Sequence, residues 1–254
     1  MTTTTTRKPT DAPPRRVIYP TEDGKPMAET DKHREIATYF IQALKAYYAD
    51  RTDVYVSGNN FVFWEEGNPK ARLSPDAYVV FGVPGRLRDS YKSWEEGGRL
   101  PDVVFEFTSK KTQREDTDTK LPRYQSVLRT PEYFLFDPTG DYLRPRLQGY
   151  RLEGGRYVRL ELVDERLHCE QLGLDLVQEG ENLRLFDPIR GQFLYTPLEQ
   201  ARRAEVQSRR AEQETRRAEE QARRADEQTQ RAASAEDEVA RLRAELAALK
   251  AKDL

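Results

Sequence analysis

Early in the chain, apolar residues recur at helical spacing. Ile36, Phe40, Ile41, Leu44 and Tyr47 or Tyr48 fall on one face of a helix over 31–49. Thr30 or Asp31 can cap its start, because a short oxygen-bearing side chain there accepts a hydrogen bond from an otherwise unpaired backbone N–H. The pattern then changes to short runs rich in Val, Phe and Tyr. Val54 to Val56, Phe61 to Trp64, Tyr78 to Phe81 and Val103 to Phe107 each have the length and composition of a strand. A second helix fits within 114–129, and EYFLFDP (Glu132 to Pro138) reads as a further buried strand. Beyond Asp141 the chain is β-rich and punctuated by turns. Gly149 to Leu162 predicts a hairpin turning at Gly154-Gly155, and Leu183 to Pro188 and Gly191 to Pro197 predict more strands. Helix, strands, helix, strand and then more strands specify an α/β or α+β domain. Its mixed β-sheet core is flanked by helices and followed by additional C-terminal hairpins.

After Pro197 neither glycine nor proline occurs up to Leu254, and the periodicity becomes seven. The units RRAEVQS, RRAEQET, RRAEEQA and RRADEQT put alanine at 204, 211, 218, 225 and 232. Val239, Leu242, Leu246 and Leu249 continue that register as an a/d pattern. Upstream, alanine faces Gln or Glu and buries little area, so only the last two heptads form a zipper. Glu205 with Arg209, Glu212 with Arg216 and Glu219 with Arg223 are i,i+4 pairs in the favoured orientation, each contributing about 0.2–0.5 kcal/mol. Residues 198–254 carry 13 basic and 13 acidic side chains, so the tail has no net charge to draw it to DNA. It reads as a coiled-coil-like helix that self-associates or engages a protein partner through its terminal leucines. Three segments result: a disordered leader at 1–16, a folded domain at 17–197 and the helical tail at 198–254.

Composition narrows the setting. The single cysteine, Cys169, precludes an intramolecular disulfide, suits a reducing, cytoplasmic compartment, and reads as a buried structural thiol. With only His33 and His168 beside it, a Cys-rich zinc site is ruled out. No apolar run approaches the roughly 20 residues that span a bilayer, and the opening MTTTTTRKPTDAPPRR lacks the apolar stretch of a secretory signal. A net charge of −2 is not that of a constitutive nucleic-acid coat. It leaves room for a protein that confines its basic residues to one groove.

Two Pro-Asp dipeptides, Pro75-Asp76 and Pro101-Asp102, each lead into an apolar run. The second run carries Glu106 between Phe105 and Phe107. An ionised carboxylate in such a strand is costly unless it is paired or bound to a cation. Asp102 and Glu106 lie four residues apart on one strand face, about 13 Å at a rise of ~3.3 Å per residue. A single metal with bonds of ~2.1 Å cannot join them. Asp76 begins a different strand. If the two strands run antiparallel, Asp76 meets Glu106 and Asp102 lies at the far end as a turn residue. Asp76 and Glu106 are therefore the candidate metal pair. Glu29 and His33 read as helix-start residues, and Trp64 and Trp94 as core.

The order Pro-Asp, about thirty residues, then an acid in an apolar strand resembles the PD-(D/E)XK nuclease signature. The standard motif places a lysine two residues after the acid, where this chain has Thr108. The Uma-type branch of these restriction-endonuclease-like proteins places it on the following helix instead. The chain is similar to that branch at Pro75-Asp76, Pro101-Asp102, Glu106, Ser109, Thr112, Lys120, Tyr124, Pro131-Glu132-Tyr133 and Asp137-Pro138. Glu29, His33 and the stretch Trp94 to Asp102 also match. The resemblance covers about 17–197 and implies a restriction-endonuclease-like fold and hydrolysis of DNA phosphodiester bonds. It implies that Asp76 and Glu106, with a backbone carbonyl at Phe107, hold Mg²⁺ or Mn²⁺. Lys120 would then orient or deprotonate a water or neutralise developing charge. If the helix begins near Thr119, Pro122 is tolerated and Lys120 lies in the first turn. Lys110 and Lys111, where the family has proline after the serine, stand as rival lysines or phosphate contacts. Two other functions compete: a catalytically silent nuclease fold serving as a binding module, and a helical adaptor with the front domain as scaffold.

Overall fold

The computed structural model describes residues 17–22, 30–109, 112 and 114–250, with side chains in the last helix described to residue 244. The leader at 1–16, Glu29, Lys110, Lys111 and the side chains of Leu246 and Leu249 lie outside the described residues. The chain divides into two compact units, 1–197 and 198–254.

In the first unit, helix α1 (Asp31–Tyr47) starts at Thr30, whose hydroxyl accepts the His33 N–H at 3.3 Å. It buries His33, Ile36, Ala37, Phe40, Ala43 and Leu44, the face that the spacing predicts. The strands are β1 (Val54–Ser57), β2 (Val62–Phe63), β3 (Arg72–Leu73), β4 (Ala77–Phe81), β5 (Tyr91–Lys92), β6 (Val103–Phe107) and β7 (Glu132–Phe136). They continue with β8 (Leu147–Glu153), β9 (Arg156–Arg159), β10 (Arg166–Cys169), β11 (Leu174–Glu179), β12 (Asn182–Asp187) and β13 (Gln192–Phe193). The main sheet has the order β1-β4-β6-β7-β8-β9 and is mixed, since β6 and β7 pair in parallel and its other neighbours antiparallel. A parallel pair needs a crossover connection, and helix α2 supplies it. The helix comprises Glu115–Lys120 and Tyr124–Leu128, both wound as π-helix, around one α turn at Leu121–Arg123.

Each face of the sheet has its own core. Phe105 and Phe107 of β6 and Phe134 and Phe136 of β7 face α1 and the meander β10-β11-β12-β13. Phe40 meets Phe105 and Phe107 edge-on at 4.9 and 5.1 Å. Val104, Tyr133 and Leu135 face Tyr124 and Leu128 of α2 and the small sheet β3-β2-β5. Strand β6 is thus buried on both faces, which is why its sequence is a near-continuous apolar run. Several readings are corrected. The strand expected at Phe61 to Trp64 shrinks to Val62–Phe63, and Trp64 and Trp94 are half-buried rather than core. Helix α2 does not begin near Thr119; Pro122 lies in its middle. Here the Leu121 N–H reaches back five residues to the Asp116 carbonyl, and this wider winding relieves the clash that proline makes with a carbonyl four residues back.

Helix α3 (Pro197–Lys250) has 54 residues, about 80 Å at 1.5 Å per residue. Every side chain from 201 to 244 is exposed. Glu205 pairs with Arg209 at 2.6 Å as expected, whereas Arg223 turns forward to Glu227 at 3.7 Å and Glu220 takes Arg224 at 2.6 Å. No described helix is long and apolar enough to cross a membrane.

Just past β7, buried Asp137 accepts the N–H groups of Thr139, Gly140, Tyr142 and Leu143 and the Thr139 hydroxyl. Burial alone raises its pKa, but those backbone donors reverse the effect and hold it below the ordinary aspartate value. A carboxyl whose folded pKa is depressed stabilises above its unfolded pKa, about 3.9, and that contribution fades as pH falls through the folded value. Asp137→Asn should therefore cost about 1–3 kcal/mol at pH 7, with the deficit shrinking as pH drops from 5 toward 2. Urea midpoints across that range check it, and a pH-independent deficit contradicts it.

Candidate active site

Strand register brings the two acids together. Ala77 of β4 pairs with Phe105 of β6 and Tyr78 with Val104, antiparallel, so one step further out sets Asp76 against Glu106. Asp102 lies at the other end of the same pair. Its carboxylate accepts the Phe81 N–H at 2.7 Å and its carbonyl accepts the Glu132 N–H at 3.2 Å, tying β4, β6 and β7 together. That is a structural role, as its position at the turn implies.

Asp76 is nearly sealed from solvent, and its Oδ2 accepts the Phe107 N–H at 2.7 Å. His33 Nε2 lies 3.3 Å from the same oxygen, with its ring edge-on to Phe107. The backbone beneath Asp76 is packed by the turn after β1. The Asn59 N–H binds the Pro75 carbonyl at 2.8 Å, and a Cβ at Gly58 would stand 2.0 Å from the Asp76 carbonyl oxygen.

Glu106 points to the α2 side with no exposed surface. Its Oε2 takes a hydrogen bond from Lys120 Nζ at 2.8 Å, and its Oε1 takes the Tyr124 hydroxyl at 3.2 Å. Lys120 Nζ also lies 3.0 Å from Asp116 Oδ1. Asp116, Lys120, Tyr124 and Leu128 are the buried positions of α2, four residues apart each time. An α-helix holds 3.6 residues per turn and a π-helix more than four. Alternating the two keeps a four-residue stripe pointing at the sheet. Thr108, two residues beyond Glu106, is buried with its hydroxyl making no hydrogen bond; the ammonium arrives from the helix instead.

Carboxylates outnumber ammonium groups: three buried acids, Asp76, Glu106 and Asp116, face Lys120, with His33 beside Asp76. Burial pushes the Glu106 pKa well above the ordinary value, and Asp76 and Asp116 add to this against the opposing pull of Lys120. Burial also raises Asp116, which Lys120 offsets only in part. Asp76 moves the other way, because His33, Lys120 and the Phe107 N–H overcome its burial. For Lys120, burial favours the neutral amine, but Glu106, Asp116 and Asp76 outweigh it and hold the side chain as an ammonium.

For a cation the donors at the sheet end are carboxylate oxygens, which suit hard ions. No group of three or more described His, Cys, Asp or Glu residues forms a metal cage. Mg²⁺ does not need one, since it is ordinarily held by one or two carboxylates and keeps several waters. The excess negative charge and the oxygen-only pair Asp76 and Glu106 therefore fit such an ion. Sequence reasoning reached Asp76, Glu106 and Lys120; it missed Asp116, the support from Gly58 and the approach of His33 to Asp76.

A family model described as "Uma2: Putative restriction endonuclease" matches residues 8–179. The chain belongs to the Uma2 family. Its fold is accordingly restriction-endonuclease-like, with Asp76, Glu106 and Lys120 all inside the span that matches Uma2. Among solved structures it is similar to one from Anabaena variabilis described as a putative nuclease belonging to DUF820. The identity is 14% over 58% of this chain and 76% of that one, with a TM-score of 0.43. No curated protein matches it.

Gly58→Ala should force the Asp76 backbone to move and cost about 1–3 kcal/mol by overpacking. Chemical denaturation of the variant measures this; an unchanged midpoint means the turn yields without strain.

Proposed function

We propose that this Uma2 chain is a Mg²⁺-dependent DNA endonuclease that hydrolyses phosphodiester bonds, with Asp76, Glu106 and Lys120 as its active site. One observation carries the reading: a single ammonium among three buried carboxylates at one end of a central strand pair. Asp76 and Glu106 would hold the ion, Mg²⁺ or Mn²⁺, which supplies Lewis acidity and neutralises charge at a phosphate. The protein's own groups do the rest. The Phe107 N–H orients Asp76, and the Tyr124 hydroxyl orients Glu106. Burial and then Glu106 raise the Tyr124 pKa, so its phenol stays protonated and able to donate. Lys120, placed by its contacts with Glu106 and Asp116, stabilises negative charge on the phosphate.

The test is cleavage of plasmid DNA with and without Mg²⁺. The wild type should nick or linearise the plasmid only with the ion, and Glu106→Gln should not. Lys120→Met should lose about 10²–10³ in rate while still binding the ion. Ion binding without cleavage by the wild type would instead make the domain a catalytically silent binding module. Loss of cleavage in Lys110→Ala or Lys111→Ala but not in Lys120→Met would move the lysine role to the turn.

For the tail the reading is self-association with a second copy of the chain. Its support is an exposed helix whose Val239 and Leu242, 46% and 52% exposed, stand three residues apart in an a/d register. Sedimentation of the full chain should show a dimer, and Val239→Asp with Leu242→Asp a monomer. A monomeric wild type removes this part of the reading and leaves the nuclease assignment untouched.

A further inference from the structure

The ion pair that holds Lys120 has two acceptors, and only one belongs to the candidate catalytic set. Asp116 is 1% exposed, yet neither of its carboxylate oxygens makes a well-formed hydrogen bond. Its partner is the Lys120 ammonium at 3.0 Å, supplemented by a looser contact with Thr112. The backbone at Asp116 is clamped. Its N–H binds the Thr112 carbonyl at 2.8 Å, and its carbonyl accepts the Tyr133 hydroxyl at 3.1 Å and the Leu121 N–H. A carboxylate held rigidly in a dry site with one ammonium as its charge partner is expensive, and packing alone would favour a neutral side chain there.

We propose that Asp116 is a positioning residue: the seat that holds Lys120 when Glu106 turns from the ammonium to a cation. The inference rests on the cation reading of Asp76 and Glu106. Lys120 Nζ bridges Glu106 at 2.8 Å and Asp116 at 3.0 Å. A cation on Asp76 and Glu106 competes with Lys120 for the Glu106 carboxylate. With Asp116 in place the ammonium keeps a full charge partner without leaving the cleft. The divalent ion adds positive charge among the carboxylates of Asp76, Glu106 and Asp116, beside His33 and Lys120. The π winding serves this arrangement, because it aligns Asp116 and Lys120 one above the other on the face toward β6 and β7. Without Asp116, Lys120 has only Glu106 to pair with and blocks the cation.

The experiment is Mn²⁺ titration of the full chain by calorimetry, with plasmid cleavage measured on the same samples. Asp116→Asn should weaken Mn²⁺ by about 10–100-fold, the range of a lost supporting partner at a metal site. It should lower kcat with the KM for DNA unchanged. Asp116→Glu, which keeps the charge, should recover most of the affinity. The double variant Asp116→Asn with Lys120→Met removes the competing ammonium, so it should bind Mn²⁺ at least as well as the wild type yet cleave no faster than Lys120→Met alone. It also carries the test if Asp116→Asn alone fails to fold; absence of Mn²⁺ binding in the double variant overturns the proposal. Wild-type affinity in Asp116→Asn, alongside loss of binding in Asp76→Asn, overturns this proposal and leaves the proposed function standing. A wild type that takes up no Mn²⁺ overturns both.

Discussion

The buried charge of Glu106 is the constraint on which the site is built. Strand β6 is covered on both faces, so a carboxylate on it cannot reach bulk water, and desolvation of that group costs several kcal/mol unless it is met by opposite charge. The partner has to come from the element that crosses over between β6 and β7, and only a helix with residues at four-residue intervals toward the sheet can present Lys120 and Tyr124 together. Uniform α winding would carry those positions progressively around the helix axis. The π turns of α2 keep them in line, so the strained stretch of the helix is the one that meets the acid. Across from Glu106 and just ahead of β4, Phe107 and His33 brace Asp76, and the turn at Gly58 leaves its backbone no room to retreat.

How far the amino-acid sequence discloses this depends on the kind of regularity each element has. Helix α1 and strands β4, β6 and β7 were legible because each buries a periodic or continuous apolar face. The two-residue period and 3.3 Å rise of a strand also sufficed to separate Asp76 from Asp102. Strands β3 and β5 are two residues long and have no period to read. Strands β10 and β11 do alternate, with Leu167 and Cys169 buried and Arg166 and His168 exposed, but the alternation is brief and embedded in turns. Lys120 was reached through resemblance and not through periodicity. In EDTDTK no apolar neighbour marks a buried face, and Pro122 argues for a helix start that the π winding makes unnecessary. Asp116 was illegible for the same reason: nothing around it distinguishes a buried aspartate from the solvated ones beside it.

The other buried acids of the fold show why the unbalanced cluster is not ordinary packing. Glu132 is fully buried, and its carboxylate meets two guanidinium N–H groups of Arg151, the Cys169 thiol, and the backbone N–H groups of Glu170 and Gln171. Burial and then the carboxylate beside it raise the Cys169 pKa, so the thiol stays protonated and serves as a donor that pins the meander to the main sheet. Asp137 takes five donors and Asp187 accepts from Tyr47, Ile189 and Arg190. Where this chain buries a carboxylate for structure, it surrounds the oxygens with donors, as the cost of an unmade hydrogen bond requires. At Asp116 it does not: Glu106 accepts from both Lys120 and Tyr124, but Asp116 shares that one ammonium and neither of its oxygens makes a well-formed hydrogen bond. A fold that satisfies its structural acids so thoroughly has the means to satisfy Asp116 as well. The donor deficit at Asp116 therefore lies beside Glu106, which the strand register sets against Asp76, and it is the feature on which the proposed cation site rests.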